Sequence, residues 1–319
     1  MNRRFALIQA LFSMVALVAV VWWASHQDAP ELPHTAGALA WIIAAAAVYA
    51  VATLVRSERW QRILQLIDVG ACRRDTYALT TVGYMGNNVL PARAGEMLRV
   101  VLLSRRTGAS KRSLLGTVVA ERLLDAVALG SIFFVVVYGI LRTTTLPSDR
   151  PLLVAGAALL ALGAVLALFQ LLRRRGAVER LREFLRPLAG GPRALLSREG
   201  LGLLVVSFAI WSLEATVYLC VARAVDLDVS GMGSLYLVAL TNLFAMLPAA
   251  PGYVGTFDAA VLFGVKAIGG TGSAAVSYLL LLRAVLFLPI TLVGLVVLVM
   301  RYGGWSRLRA AMRLEASSA

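Results

Sequence analysis

The sequence predicts an all-α polytopic membrane protein, with six full spans and two re-entrant helical hairpins arranged as an inverted repeat. Three observations carry this. Hydrophobic residues make up 60% of the 319 and charged residues 15%, with a mean hydropathy of +0.79; a soluble domain is nearer half apolar and a quarter charged. Several apolar runs reach the ~20 residues that a helix needs to cross a hydrocarbon core. Two more apolar runs are interrupted by Pro and Gly, and the interruptions match each other. Six crossings and their connections use the whole length, so a single membrane domain over 1–319 is expected, with no separate soluble catalytic domain.

The first span is expected at about 5–24, behind Arg3 and Arg4. Its long core, closed by Trp22 and Trp23 without a clean A-x-A site, favours a retained helix over a cleaved signal peptide. The segment 25–37 holds Asp28, Glu31 and both histidines but no Lys or Arg, and is expected outside. A second span follows at about 38–55. Arg56, Arg59, Arg62, Arg73 and Arg74 then mark the cytoplasm. Trp60, Ile63, Leu64 and Ile67 recur at helical spacing, which predicts an interfacial helix over about 56–70. Spans three and four are expected at about 113–141 and 151–172. The most basic stretch, about 173–199, carries an apolar stripe of Val178, Leu181, Leu185 and Leu188 and predicts a second interfacial helix. Spans five and six, about 201–222 and 274–300, complete the set before the basic tail that begins at Arg301. The basic bias places both termini on the cytoplasmic side of an inner (cytoplasmic) membrane.

The net charge of +14 suggests a nucleic-acid partner, but the basic residues cluster beside apolar runs. Orientation and anionic lipid headgroups account for them there, and no nucleic-acid binding is expected. Cys72 falls in a basic segment and Cys220 in an apolar run, so no disulfide is expected.

The interrupted segments are about 76–103, broken by Gly83, Gly86, Asn87, Asn88, Pro91 and Gly95, and about 231–268, broken by Pro248, Pro251, Gly252 and Gly255. Pro removes a donor and Gly admits unusual backbone angles; irregular backbone at membrane depth needs protein or a wet cavity around it. Both therefore read as re-entrant hairpins. The runs from Leu90 to Gly95 and from Leu247 to Gly252 share L-P-A-x-x-G, 157 residues apart, and each hairpin has one span before and one after it. The halves are about 38–141 and 201–300, and charge bias places them in opposite orientations. Broken segments in corresponding positions of two halves point to a transport site near the midplane.

Arg59-Trp60, Gly83-Tyr84, Asn87-Asn88, the run Leu90 to Glu96 with Arg99, Glu121 to Asp125, and Pro251-Gly252-Tyr253-Val254-Gly255 form an ordered series. It resembles the lysylphosphatidylglycerol synthase transmembrane-region family, the flippase-like integral membrane proteins, over most of the chain. In the name-giving members this region moves an aminoacylated phospholipid between leaflets and is fused to a soluble aminoacyl-transferase. The sequence shows no segment for that transferase, so the resemblance implies the translocation half, gives no support for lipid synthesis and leaves the lipid undecided; movement of an anionic or aminoacylated lipid across the bilayer is the expectation.

Ionisable residues inside spans are costly and mark function by default. For a lipid translocator, Arg93, Arg99, Arg122 and Arg283 are the candidate phosphate ligands, since arginine grips phosphate through two parallel hydrogen bonds. Glu96, Glu121, Asp125 and Glu214 would balance them, meet a cationic headgroup or carry protons. Asn87, Asn88, Asn242 and Tyr253 would add uncharged hydrogen bonds. Pro91, Gly95, Pro248, Pro251 and Gly252 would form the hairpin breaks, whose half-helix N-termini favour an anion. The same charges also admit a structural reading: Arg122 with Asp125, or Arg93 with Glu121, neutralise each other and pin the hairpin to the third span. Asp258 and Lys266 are placed in the outer interface.

No enzyme signature stands up. His26 and His34 have no companion ligands, so no metal site is expected; Asp226-Leu227-Asp228 lacks a nucleotide-binding domain; and no P-loop, G-x-S-x-G or H-E-x-x-H occurs. No cofactor is expected. The main alternative is an accessory membrane scaffold for a lipid-modifying glycosyltransferase, docked on the basic segment 173–199; the weakest is a membrane-embedded lipid-modifying enzyme with Glu121 and Asp125 as acid and base, which lacks a recognisable donor site.

Overall fold

The computed structural model describes residues 34–90, 93–137, 195, 197–245, 251–270 and 272–303. The expected first and fourth spans, the loop 25–33, most of the basic segment 173–199, and Pro91 and Pro248 lie outside these residues. Among the described residues every regular element is helical: α1 (Ala36–Leu66), α2 (Arg73–Val89), α3 (Ala94–Thr107), α4 (Lys111–Phe134), α5 (Arg198–Ala224), α6 (Gly231–Ala245), a 3₁₀ turn (Pro251–Tyr253), α7 (Thr256–Ala267) and α8 (Gly272–Tyr302).

Local chemistry sets the ends. Thr35, Ser110 and Ser197 cap α1, α4 and α5 by accepting from Ala38 N, Ser113 N and Gly200 N at 3.1, 3.1 and 3.2 Å, satisfying donors that the first turn leaves unpaired. Gly108 closes α3 in the left-handed region, φ 72°.

Three of these helices are long and apolar enough to cross a membrane: α1, α5 and α8. They carry outward rows of large exposed apolar side chains, such as Leu39 and Ile43 on α1 and Leu288, Leu292 and Val296 on α8, a surface that suits lipid rather than water. α4 has the length to cross but carries Glu121, Arg122 and Asp125, and these set it apart from the other three.

One expected boundary is absent. Instead of a span followed by an interfacial helix over 56–70, α1 runs unbroken to Leu66 and buries Arg56, Arg59, Trp60, Ile63 and Leu64 inside the protein. The apolar stripe Trp60, Ile63 and Leu64 faces other helices, because it continues the inward face begun by Ala45 and Ala52.

α1 packs along α5, the most extensive helix pairing, and α8 packs along α2. α2 and α3 form one helix pair and α6 and α7 another, with α4 lying against α3, α5 and α6. The α2–α3 contact is backbone on backbone. A Cβ on Gly95 would stand 2.0 Å from Gly83 O and 2.4 Å from Asn87 N, so only glycine permits this approach. Among the described residues the two larger of three apolar clusters do most of the packing. One gathers Tyr218, Leu237, Val261 and Leu282 around α5 to α8, and the other gathers Trp60, Leu79, Leu103 and Leu114.

Candidate functional site

Both interrupted segments are broken helices, and the breaks lie side by side. α2 ends at Val89 with Leu90 extended (φ −102°, ψ 146°), and the chain enters α3 through Arg93 in the left-handed region (φ 54°, ψ 34°). The second segment enters α7 through Gly252 (φ 63°), Tyr253 (φ 54°) and Gly255 (φ 86°). A left-handed conformation costs a non-glycine residue about 1–2 kcal/mol. The two non-glycine residues that bear it here touch: the Arg93 guanidinium lies 5.4 Å from the Tyr253 ring centre. Gly252 backs onto the Asn88 carbonyl.

Each resumed helix carries an acid at its third residue, Glu96 in α3 and Asp258 in α7. Asp258 accepts from Gly255 N at 2.8 Å and binds Arg283, whose Nη1 also donates to Gly252 O at 3.2 Å. Asp258 is therefore buried and paired, enclosed by the α7 start and α8. Glu96 meets Arg93 at 3.6 Å and Arg122 of α4 at 3.5 Å.

Behind these lies a buried ion-pair network. Arg59, 1% exposed, donates to Asp125 at 2.8 Å and to Ser207 Oγ at 2.7 Å, with Glu121 3.9 Å away. Arg99 pairs with Glu121 and lies 4.4 Å over Trp60, which itself donates to Thr117 Oγ1 at 3.0 Å. Of the two structural pairs that the sequence offers, Arg122–Asp125 forms at 3.3 Å. Arg93–Glu121 does not, because Glu121 is taken by Arg99 and Arg59 while Arg93 turns to Glu96. Where α1 meets α5, Arg56 binds Glu214 between the Trp211 and Tyr84 rings, 5.0 and 5.9 Å from the guanidinium. Asn242 donates to Glu214 at 3.2 Å.

A cavity of about 90 Å³ opens at the centre, room for several waters at roughly 10–15 Å³ each. Of the residues singled out from the sequence, Asn87, Asn88, Arg93, Glu96, Arg122, Asp125, Glu214, Asn242 and Tyr253 line it. Arg99 lines a smaller adjoining recess of about 10 Å³ with Asn87, Glu96 and Arg122. Glu121 sits behind the wall, and Arg283 braces the second break from α8. Asn88 is held by Thr291 Oγ1 at 2.9 Å. The side-chain atoms Asn87 Oδ1 and Arg93 Nε are buried without a hydrogen-bond partner.

Sequence reasoning missed Arg56, Arg59, Tyr49, Tyr84 and Trp211 as parts of this centre. The signal was there for two of them: Ala45, Ala52, Arg56, Arg59 and Ile63 keep one helical face past the expected end of the span, and no Pro or Gly interrupts them. Among the described residues no group of His, Cys, Asp and Glu could hold a metal ion.

The family model for the lysylphosphatidylglycerol synthase TM region matches residues 7–294. The chain belongs to that family. It is similar to the glycosyltransferase AglD of Haloferax volcanii, 24% identical over 92% of this chain and 54% of that protein. Two UPF0104 membrane proteins also match: one from Methanocaldococcus jannaschii, 23% identical over 65% of this chain and 90% of its own length, and one from Methanothermobacter thermautotrophicus, 22% identical over 90% and 92%. No solved structure matches. Membership of that family, with helices able to cross a bilayer, makes the chain a membrane protein.

Proposed function

We propose that this protein is a lipid translocase that moves an anionic or aminoacylated phospholipid, or a lipid-linked headgroup, between leaflets of the cytoplasmic membrane. In this reading six spans and two re-entrant hairpins form an inverted repeat, with both termini cytoplasmic. The observation that carries it is the meeting of two helix breaks, one from each half, around a charged cavity. Helix breaks of this kind in corresponding positions accompany midplane substrate sites.

The side-chain pairs support the repeat. Glu214 and Asn242 stand 28 residues apart, and Arg56 and Tyr84 have the same interval; the two pairs meet each other across the α1–α5 contact. Asp258 and Arg283 stand 25 apart, close to the interval between Glu96 and Arg122. The first set links a long helix to the arm before a break, α1 to α2 and α5 to α6, and the second links a resumed helix to the helix after it, α3 to α4 and α7 to α8.

A headgroup crossing hydrocarbon needs a polar path that replaces its water. Arg93 and Arg122 supply donors, Asn87 an acceptor, and the apolar walls of α6 to α8 the surroundings for acyl chains. Rocking of one half against the other about the α1–α5 contact would expose the cavity to alternate sides. The protein acts without enzymatic turnover in this reading. Reconstitution in vesicles with a fluorescent phospholipid tests it: leaflet exchange should require the protein and be lost in Arg93→Ala and Arg122→Ala. Full exchange in both variants would sink the assignment.

The AglD similarity favours a second reading, an accessory membrane module that serves a glycan-transferring partner. Co-purification of such a partner, with no exchange by the protein alone, would select it.

A further inference from the structure

The charges around the cavity do not balance. Arg56 is matched by Glu214, Arg59 by Asp125 and Arg99 by Glu121. Glu96 alone remains for both Arg93, 3.6 Å away, and Arg122, 3.5 Å away, and Arg122 reaches Asp125 only as a second partner. Among the described residues, one guanidinium charge in a poorly solvated site is therefore uncompensated. Arginine keeps its proton in proteins, and protonation of any of these carboxylates would widen the surplus. The two arginines that share an acid both line the cavity, and Arg93 Nε there has no hydrogen-bond partner. Beside them Asn87, 7% exposed, presents an acceptor with no donor.

Resting on the translocase reading, we propose that this site selects a headgroup with a single negative charge: a phosphodiester monoanion that carries a hydroxyl. Arg93 and Arg122 clamp the phosphodiester with charge-assisted bonds. The Asn87 side-chain oxygen accepts from the hydroxyl. An ammonium would also satisfy Asn87, but it adds positive charge where there is already an excess. A lipid whose headgroup bears aminoacyl ammonium groups is thus the poorer ligand, and a phosphomonoester, with its second negative charge, overshoots the balance.

The test is binding by the full-length, detergent-solubilised protein, read by titration with short-chain lipids. Phosphatidylglycerol should bind about tenfold or more tightly than both lysyl-phosphatidylglycerol and phosphatidic acid. Arg93→Gly suits the left-handed backbone, so it should lose that binding while the melting temperature holds. Asn87→Asp is close to isosteric and cancels the surplus; it should abolish the preference for phosphatidylglycerol over the lysylated lipid. Equal binding of the lysylated lipid by the wild type, or an unchanged preference in Asn87→Asp, overturns the proposal. Glycerophosphoglycerol, the same headgroup without acyl chains, separates a lipid from a free phosphodiester; equal affinity for it would reject a lipid ligand. The stated order of binding with no exchange in vesicles would sink the translocase reading alone. Exchange with a different order of binding would sink this proposal alone.

Discussion

The Arg56–Glu214 pair joins the two helices that pack most extensively, and its side chains are only 6% and 7% exposed. Removing one partner of a buried pair leaves an uncompensated charge and costs about 3–5 kcal/mol, whereas replacing both by apolar residues of similar volume is often close to neutral. Here Arg56→Met leaves Glu214 with the Asn242 amide, and Glu214→Leu leaves Arg56 with only the faces of Trp211 and Tyr84. Ring faces contribute about 0.5–2 kcal/mol to a cation, too little to offset a lost carboxylate in a buried site. Each single variant should therefore lose about 3–5 kcal/mol, and the double variant no more than about 2 kcal/mol. The coupling energy is then at least about 4 kcal/mol. Reversible unfolding in mixed micelles titrated with a denaturing detergent measures all three. Additive losses, with the double variant near the sum of the singles, would show that the two residues act independently and that this pair does not hold the α1–α5 contact.

Three further outcomes follow from the same geometry. Gly95→Ala should cost about 3 kcal/mol or more, since its Cβ would meet Gly83 O and Asn87 N, backbone atoms that cannot swing aside. Gly130→Ala on α4, where the added Cβ meets nothing within 4 Å, should instead gain about 0.5–1 kcal/mol; a similar response at both sites would refute the close α2–α3 approach. Arg93→Gly should stay within about 1 kcal/mol of wild type, because the left-handed backbone is relieved and Glu96 keeps Arg122 as its partner; a loss of several kcal/mol in the same unfolding assay would mean that Arg93 is a structural pin. Arg59→Met should destabilise by about 3–5 kcal/mol, because Asp125 loses its 2.8 Å donor and Ser207 Oγ the donor it accepts from. An unperturbed melting profile for that variant would remove Arg59 from the core of the network.

The membrane class, the broken segments and most residues that line the cavity were legible without coordinates. Apolar content along a run, a Gly or Pro at a break and an ionisable group within a span are local properties, and the physics that penalises each of them is local too. Asn87, Arg93, Glu96, Arg122 and Asp125 stood out because a charge or amide in an apolar stretch demands a reason. The boundary at residue 56 failed for the same kind of cause. Arginine marks the aqueous face where it stands alone, yet Arg56 and Arg59 lie inside the protein, where Glu214 and Asp125 compensate them.

Partner choice was not legible. Arg56 meets an acid 158 residues away, and Asn88 a threonine 203 residues away. Which arginine meets which acid depends on how each helix is rotated and how closely its neighbours approach, and these follow from packing over whole faces. The sequence's own terms established which side chains must find partners, since hydrocarbon leaves no unpaired charge cheap. Tertiary packing decided that Glu121 goes to Arg99 and Arg59, that Arg93 and Arg122 share Glu96, and so that the excess positive charge faces the cavity.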